Sequence, residues 1–147
     1  MQRLTKPMLF ASAEECEQAF YEALENADIE AMAELWLQDD EVCCTHPGAA
    51  RLVGYQAVRA SWASLLEAGP LPVRPLARHS FESATLTVTN LIEEIAVRQG
   101  SVRKLMHVLA SNAYVKTPAG WKMVMHVGAA APQGQAIAVE APSGTVH

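Results

Sequence analysis

The segment that decides the fold runs from residue 102 to residue 130 and reads VRKLMHVLASNAYVKTPAGWKMVMHVGAA. Residues 102–116 have the alternation of a long β-strand, and residues 121–130 have it again. The intervening TPAG, at residues 117–120, predicts a hairpin loop. Both alternating faces of residues 103–116 are partly apolar. A sheet built from such strands needs cover on both sides.

Further predicted strands lie upstream of this hairpin. Residues 73–82 and 86–98 have strand-like composition, and residues 42–46 form a shorter run that ends at Pro47 and Gly48. Three amphipathic helices are predicted from the 3.6-residue periodicity at residues 12–26, 29–37 and 55–68. Helices followed by a run of long antiparallel strands predict an α+β fold.

The start and end signals of the helices support this reading. Ser12 followed by Glu15 has the spacing of a capping box, and Asp28 is a suitable N-cap for the second helix. Gly54 precedes the third helix, and Gly69 follows it. Three helices cover one face of the sheet. We expect a second copy of the chain to cover the other face in a two-fold symmetric homodimer, with a monomer as the alternative.

Length and charge restrict the class of protein. The chain has 147 residues and a formal net charge of −5, so we expect one domain over residues 1–147, with its core at about 13–132 and a loosely ordered tail at 133–147. An acidic chain without a basic run predicts neither nucleic-acid nor membrane binding. Three cysteines without a recognisable signal peptide predict a cytoplasmic protein with reduced thiols.

The sequence resembles a known family in two places. WLQDDEVCCTHPG (residues 36–48), LVG (52–54) and the Ser61-Trp62 pair resemble the first half of SnoaL-like proteins of the nuclear transport factor 2 superfamily. SNAY (111–114), the Gly120-Trp121 hairpin end and MVMH (123–126) resemble the last two strands of that family. The resemblance covers roughly residues 13–132.

The resemblance implies a cone-shaped fold, in which three N-terminal helices pack on a strongly curved, mainly antiparallel sheet around a pocket. It also implies dimers. The fold hosts isomerases, dehydratases, polyketide cyclases, epoxide hydrolases and non-catalytic binding modules, so it does not specify a reaction. This chain has Ala49 where many relatives have an aromatic residue. His126 is followed by Val127, Gly128 and Ala129, so the second histidine and the serine of many relatives are missing.

Two histidines are the candidate catalytic residues. His46 ends a predicted strand, and His126 lies on the last strand at a position that matches the pocket of the resembled family. An imidazole is a suitable general acid or base near neutral pH. Strict alternation places His126 on the same face as Lys122 and Val124, unless a bulge intervenes. Structural roles in the core or in a loop remain the alternative for both histidines.

The candidate ligand-binding residues are Trp36, Trp62, Asn112 and Tyr114. The two tryptophans lie on apolar stripes of helices, where core and pocket wall merge in a cone fold. Asn112 shares a strand face with Tyr114, and an amide among apolar side chains must find partners. Asn112 therefore either contacts a ligand or pins neighbouring backbone.

Other polar residues receive structural interpretations. Asp39 and Asp40 are expected in a solvated turn. Glu93 and Glu94 lie in an apolar strand, so one of them should point inward. Such a carboxylate needs a partner, and Arg98, Arg103 and Lys104 are the candidates. The hydroxyl of Tyr21, on the first helix, cannot be placed from sequence.

The histidines and cysteines were also considered as metal ligands and as nucleophiles. His46, His107 and His126 match no compact ligand motif, so we predict no metal site and no cofactor. Cys43 and Cys44 are adjacent and should diverge on a strand, which favours structural thiols over a nucleophile.

These observations predict a protein that binds a small hydrophobic molecule in an apolar pocket. Catalysis is left open. If the chain is an enzyme, proton-transfer chemistry of the isomerase, cyclase or dehydratase type fits its residues best. The alternative is a non-catalytic, dimeric binding or interaction module, which the missing histidine and serine favour.

Overall fold

The computed structural model describes residues 9–132, apart from the side chain of Gln99. It contains three helices and six strands, and their bounds are α1 Ala13–Asn26, α2 Ile29–Leu35, β1 Cys43–Thr45, β2 Leu52–Val53, α3 Tyr55–Glu67, β3 Val73–Glu82, β4 Leu86–Gln99, β5 Val102–Thr117 and β6 Gly120–Ala130. The predicted tail at residues 133–147 lies outside the described residues.

The first helix begins and ends as its sequence predicts. The hydroxyl of Ser12 accepts a hydrogen bond from the backbone N–H of Glu15, and the Glu15 carboxylate accepts one from the N–H of Ala11. This is a close variant of the predicted capping box, shifted by one residue on its return bond. Ala27 ends the helix in the left-handed region at φ 50°.

The six strands form one sheet in the order β2-β1-β6-β5-β4-β3. Neighbouring strands are antiparallel except for β1 and β6, which are parallel. The apolar core lies between the helices and one face of this sheet. Its largest buried side chains include Phe20, Leu24, Trp36, Tyr114 and Met123.

A bulge in β6 decides which face His126 occupies. Ala113 pairs with Met125, but Tyr114 pairs with Met123, so Val124 is an extra residue. The side chains of Met123 and His126 are therefore both buried, although three positions separate them. The prediction from strict alternation, that His126 shares a face with Lys122 and Val124, is wrong for this reason.

A second irregularity occurs where β3 pairs with β4. The register shifts between Leu76 and His79, and Ala77 has φ 51°. Arg78 lies inside this irregularity, and its guanidinium reaches the buried carboxylate of Glu17 on α1. The shift therefore ties the edge strand to the first helix.

The outer face of the sheet, away from the helices, carries exposed apolar side chains. One cross-strand row consists of Phe81, Val88, Ala113 and Met125, which are neighbours through the pairing of β3, β4, β5 and β6. Phe81 is 70% exposed, and Val88 and Met125 are 37% and 39% exposed. We refer to this row as the outer apolar row.

The α+β prediction is confirmed by the three helices and the mainly antiparallel sheet. Helices α2 and α3 end at Leu35 and Glu67, slightly before the predicted ends, and the two-residue strand β2 was not predicted. No helix among residues 9–132 has the length and apolar character needed to cross a membrane.

Candidate functional site

A cavity of ≈ 240 Å³ lies between the helices and the inner face of the sheet. Its polar lining residues are His46, Glu93 and His126, and Trp62 forms an aromatic wall. Leucine, isoleucine, valine and proline side chains complete the lining. Small-molecule sites usually have a mainly apolar wall that contains a few polar groups.

Four different elements bring these residues together. Glu93 lies on β4 opposite Val108 of β5, and His126 lies on β6 opposite Asn112. His46 directly follows β1, and Trp62 lies on the inner face of α3. The parallel pairing of β1 with β6 places Cys44 opposite His126, which brings the end of β1 close to the last strand.

Glu93 is the acidic residue of the cavity lining, and its pKa is raised. Its residue is 5% exposed, and its carboxyl accepts a hydrogen bond of 2.7 Å from the Tyr21 hydroxyl. Burial raises the pKa of Glu93 to about 7; the negative charge of Glu17 adds to this effect, and the Tyr21 hydrogen bond opposes it. Glu93 therefore exists in both protonation states near neutral pH.

Glu93 is the glutamate that points inward, and the prediction that Arg98, Arg103 or Lys104 pairs with it is wrong. Its hydrogen-bond partner is Tyr21, a residue of α1. The adjacent Glu94 points the other way and pairs with Arg74 and His107, at 3.1 and 3.0 Å. A neutral donor compensates a buried carboxyl less than a cation does, and for this reason Glu93 retains a raised pKa.

Glu17, behind the cavity, is the centre of a buried polar network. Its carboxylate accepts hydrogen bonds from Thr89, Tyr114, Asn112 and Arg78. Burial raises the pKa of Glu17, but these four donors together outweigh burial and hold the pKa below its ordinary value. Glu17 is therefore an anion in the folded protein.

Asn112 connects this network to the cavity. Its amide nitrogen donates to Glu17 at 3.3 Å and to the Tyr21 hydroxyl at 3.1 Å, and its oxygen lies 2.6 Å from Nδ1 of His126. Burial, with a smaller contribution from nearby His46, lowers the pKa of His126 to about 3. His126 is thus a neutral imidazole at physiological pH.

His46 is a half-buried lining residue of the cavity. Its Nε2 lies 2.7 Å from the Ser61 hydroxyl, and its ring packs edge-on against Trp62 with centroids 4.7 Å apart. Burial lowers the pKa of His46. Both histidines therefore face the same cavity, and both are favoured in the neutral form.

The remaining predicted binding residues are placed differently. Trp62 lines the cavity, and its indole Nε1 is fully buried without a hydrogen-bond partner among the described residues. Tyr114 is buried behind the wall, where it donates to Glu17. Trp36 lies in the core beside Met123 and outside the cavity lining.

The other polar candidates lie away from the cavity. Asp39 and Asp40 are exposed, and Asp39 accepts a hydrogen bond from the N–H of Glu41, as expected for a solvated turn. Burial raises the pKa of the Cys44 thiol to about 12, which makes it a poor nucleophile. In the described part of the chain, no three His, Cys, Asp or Glu side chains converge as metal ligands do.

Sequence reasoning missed the acid of this site. Glu93 interrupts an otherwise apolar strand, which is the signal that could have identified it, but its inward orientation and its Tyr21 partner require the tertiary structure. Glu17 was hidden in the same way among the acidic residues of α1. Tyr21 and Glu93 are 72 positions apart.

Comparisons with known proteins agree with this architecture. The model of the SnoaL-like domain family matches residues 13–132. A provisionally assigned calcium/calmodulin-dependent protein kinase type II association domain from Thiobacillus denitrificans is similar at 32% identity, with a TM-score of 0.77 over 85% of this chain and 99% of that chain.

Two further solved structures share the fold. A provisionally assigned dehydratase of the NTF2-like family from Streptomyces avermitilis is 24% identical, with a TM-score of 0.71 over 79% of this chain and 91% of its own. An NTF2-like protein with a cystatin-like fold from Novosphingobium aromaticivorans is 18% identical, with a TM-score of 0.66 over 83% and 81%. The curated proteins contain no match.

Proposed function

Because this chain belongs to the SnoaL-like family of NTF2-like proteins, we propose that it binds a small, largely apolar carbonyl compound and moves a proton on it. Glu93 is the acid–base group. The observation that carries this proposal is a buried carboxyl on a cavity wall whose pKa is raised to about 7. An acid–base group with a pKa near the working pH transfers protons most effectively.

The chemistry follows from the two states of Glu93. As a carboxylate, it accepts a proton from the carbon next to the substrate carbonyl; the C–H bond breaks and its electron pair forms an enolate. As a carboxylic acid, it returns a proton to the same or another carbon. The result is isomerisation, or elimination if a leaving group is present, and no oxidant or reductant is needed.

The size of the cavity limits the substrate. Drug-sized ligands occupy pockets of about 300–1,000 Å³, whereas this cavity has ≈ 240 Å³. We therefore propose a monocyclic or short-chain ligand rather than a steroid. His46, His126 and Trp62 would contact it, and Asn112 and Tyr114 would act from behind the wall. Trp36, which lies outside the cavity lining, would have a packing role.

The proposal is tested by exchange of carbon-bound protons. Cyclohexanone is incubated with the protein in D₂O, and deuterium uptake beside the carbonyl is followed by NMR. We expect catalysed exchange with the wild-type protein and a loss of about 10²-fold or more in Glu93→Gln. Glu94→Gln, which removes the neighbouring carboxylate on the opposite face, is the matched control and should exchange like the wild type. Equal exchange in all three proteins would exclude Glu93 as the acid–base group.

A second function is suggested by the outer apolar row. We propose that a second copy of the chain packs against this face, as in an interaction module, and the similarity to a protein described as an association domain supports it. Phe81, Val88 and Met125 are exposed there in a single chain, and covering them would release apolar surface from water.

Sedimentation velocity tests this assembly. The wild-type protein should sediment as a dimer or larger species, and Val88→Asp should shift it to the monomer. Ser101→Asp, in the exposed turn after β4, adds the same charge elsewhere and should leave the assembly intact. A wild-type monomer at micromolar concentration would refute the assembly and leave the cavity proposal untouched.

A further inference from the structure

We infer that Asn112 is a positioning residue that holds His126 in the tautomer with the proton on Nδ1, so that Nε2 is a bare hydrogen-bond acceptor in the cavity. The ligand therefore presents a hydroxyl or N–H group to Nε2. The tautomer follows from the series of hydrogen bonds that runs from the Glu17 carboxylate through Asn112 to His126, whereas the ligand class rests on the proposed function.

The argument begins at Glu17, which fixes the orientation of the Asn112 amide. Glu17 is an anion, and an ionised carboxylate only accepts hydrogen bonds. The atom of Asn112 that faces it must therefore be the NH₂ group, because a flipped amide would place two oxygens against each other. The same NH₂ group lies 3.1 Å from the Tyr21 oxygen, whose own proton is donated to Glu93. Both amide hydrogens are thereby used.

The amide oxygen then determines the proton on His126. The Asn112 oxygen has no hydrogen to donate, so the 2.6 Å contact requires that Nδ1 of His126 donate. An imidazole that is neutral and protonated at Nδ1 has no proton on Nε2. The hydrogen bonds that link Glu17, Asn112 and His126 therefore have one consistent donor-to-acceptor direction, from His126 through Asn112 to Glu17.

The bare nitrogen reaches the cavity. Among the described residues, the fully enclosed side-chain nitrogens and oxygens without a partner are the indole nitrogens of Trp36 and Trp62. His126 Nε2 is not one of them, and it makes no hydrogen bond within the described part of the chain. Since His126 lines the cavity, Nε2 is open to a ligand there.

The cavity wall is therefore matched to one kind of ligand. It offers an acceptor at His126 Nε2, with Glu93 as the group that exchanges a proton with the ligand. A compound with both a hydroxyl and a carbonyl satisfies both, because the hydroxyl donates to Nε2 and the carbonyl acidifies the neighbouring C–H that Glu93 deprotonates. A carboxylate or an ether oxygen placed against Nε2 would set two lone pairs against each other. We propose a small hydroxy-carbonyl compound as the substrate class.

The tautomer is measured first, on the unliganded full-length protein. Long-range ¹H–¹⁵N correlation spectra of protein labelled with ¹⁵N-histidine distinguish the two neutral tautomers and the imidazolium. We expect His126 of the wild type at pH 7 to be protonated at Nδ1 alone, and the same result in Glu93→Gln. In Asn112→Ala the restriction should be lost. A proton on Nε2 in the wild type overturns the inference, whether or not the variants fold.

Ligand selection is measured with cyclohexanol and methoxycyclohexane as probes. Both have the same ring, but only the alcohol can donate. We expect the alcohol to bind about tenfold more tightly, the contribution of one hydrogen bond. Equal affinity would overturn the ligand class. Neither probe binding would contradict both the ligand class and the proposed pocket function. The inferred tautomer would still hold in that case, provided that the spectra show the proton on Nδ1. Catalysed exchange of cyclohexanone with a proton on Nε2 would overturn the inference alone.

Discussion

Replacement of Glu93 by glutamine should change how stability depends on pH, by an amount that the structure specifies. The pKa of Glu93 rises from an ordinary value of 4.5 to about 7 in the folded protein. The unfolded chain loses its proton near the lower value and the folded protein near the higher one. A difference of about 2.5, at about 1.4 kcal/mol for each pKa unit, corresponds to about 3 kcal/mol.

The sign of the effect follows from the raised pKa. Below about pH 4.5, Glu93 is protonated in both states and contributes its full stability. As the pH rises towards about 7, the unfolded chain releases the proton and the folded protein retains it, so the free energy of unfolding falls by about 3 kcal/mol. Glutamine resembles the protonated acid, and its carbonyl oxygen can still accept the bond from Tyr21. Glu93→Gln should lack this loss.

The assay is urea unfolding of both proteins from about pH 4 to about pH 9, at one protein concentration because association would shift the midpoint. The quantity of interest is the difference in free energy of unfolding between Glu93→Gln and the wild type. We expect this difference to grow by about 3 kcal/mol up to about pH 7 and then to level off. Glu94→Gln is measured alongside, since it removes the adjacent carboxylate on the other face.

A difference that is constant across the pH range would refute the reasoning. It would mean that Glu93 titrates alike in the folded and unfolded chain and is therefore not the buried, weakly compensated acid of the cavity. The acid–base role proposed for Glu93 would then lose its physical basis.

Three further results follow from the structure. Gly120→Ala should cost about 2–3 kcal/mol of stability in urea unfolding, because φ is 87° and a Cβ would lie 2.9 Å from a backbone oxygen. Gly100→Ala is the control and should cost about 1 kcal/mol, because φ is 63° but the space around a Cβ is open. Equal losses in the two variants would contradict the clash at residue 120. Glu17→Gln should cost about 3 kcal/mol, since it breaks a buried charged network, and a loss below about 1 kcal/mol would count against that network. Tyr21→Phe should raise the pKa of Glu93 further, which would appear as a higher midpoint in the pH profile of proton exchange; an unchanged or lower midpoint would be inconsistent with the Tyr21 bond.

The order of helices and strands could be predicted from the sequence because it depends on local patterns. The long strands alternate, the helices repeat every 3.6 residues, and Ser12, Asp28 and Gly54 mark helix starts. The strand β2 escaped prediction because two residues, Leu52 and Val53, cannot display a period. The extra residue at Val124 escaped for a related reason, since a bulge is set by pairing with a neighbouring strand and leaves the local sequence unchanged.

The candidate site was partly predictable. His46, Trp62 and His126 were selected from their sequence context, and the structure brings all three to one cavity. Glu93 was given a structural role, because a carboxylate in a strand is ordinarily paired with a cation and nearby cations were available in sequence. Its actual partner is on the first helix, and contacts over such a separation depend on how the helix packs on the sheet.

The extra residue at Val124 also affects how this chain is compared with its relatives. The alternation of inward and outward side chains that holds up to Met123 is shifted by one residue from Met125 onward. An alignment to a relative without the bulge must open a one-residue gap at this point, or it will match His126 to a side chain on the outer surface. Deletion of Val124 would remove the extra residue and leave Met123, Met125 and His126 in regular alternation opposite Tyr114, Ala113 and Asn112, so the bulge would be lost while the imidazole kept its place on the inner face.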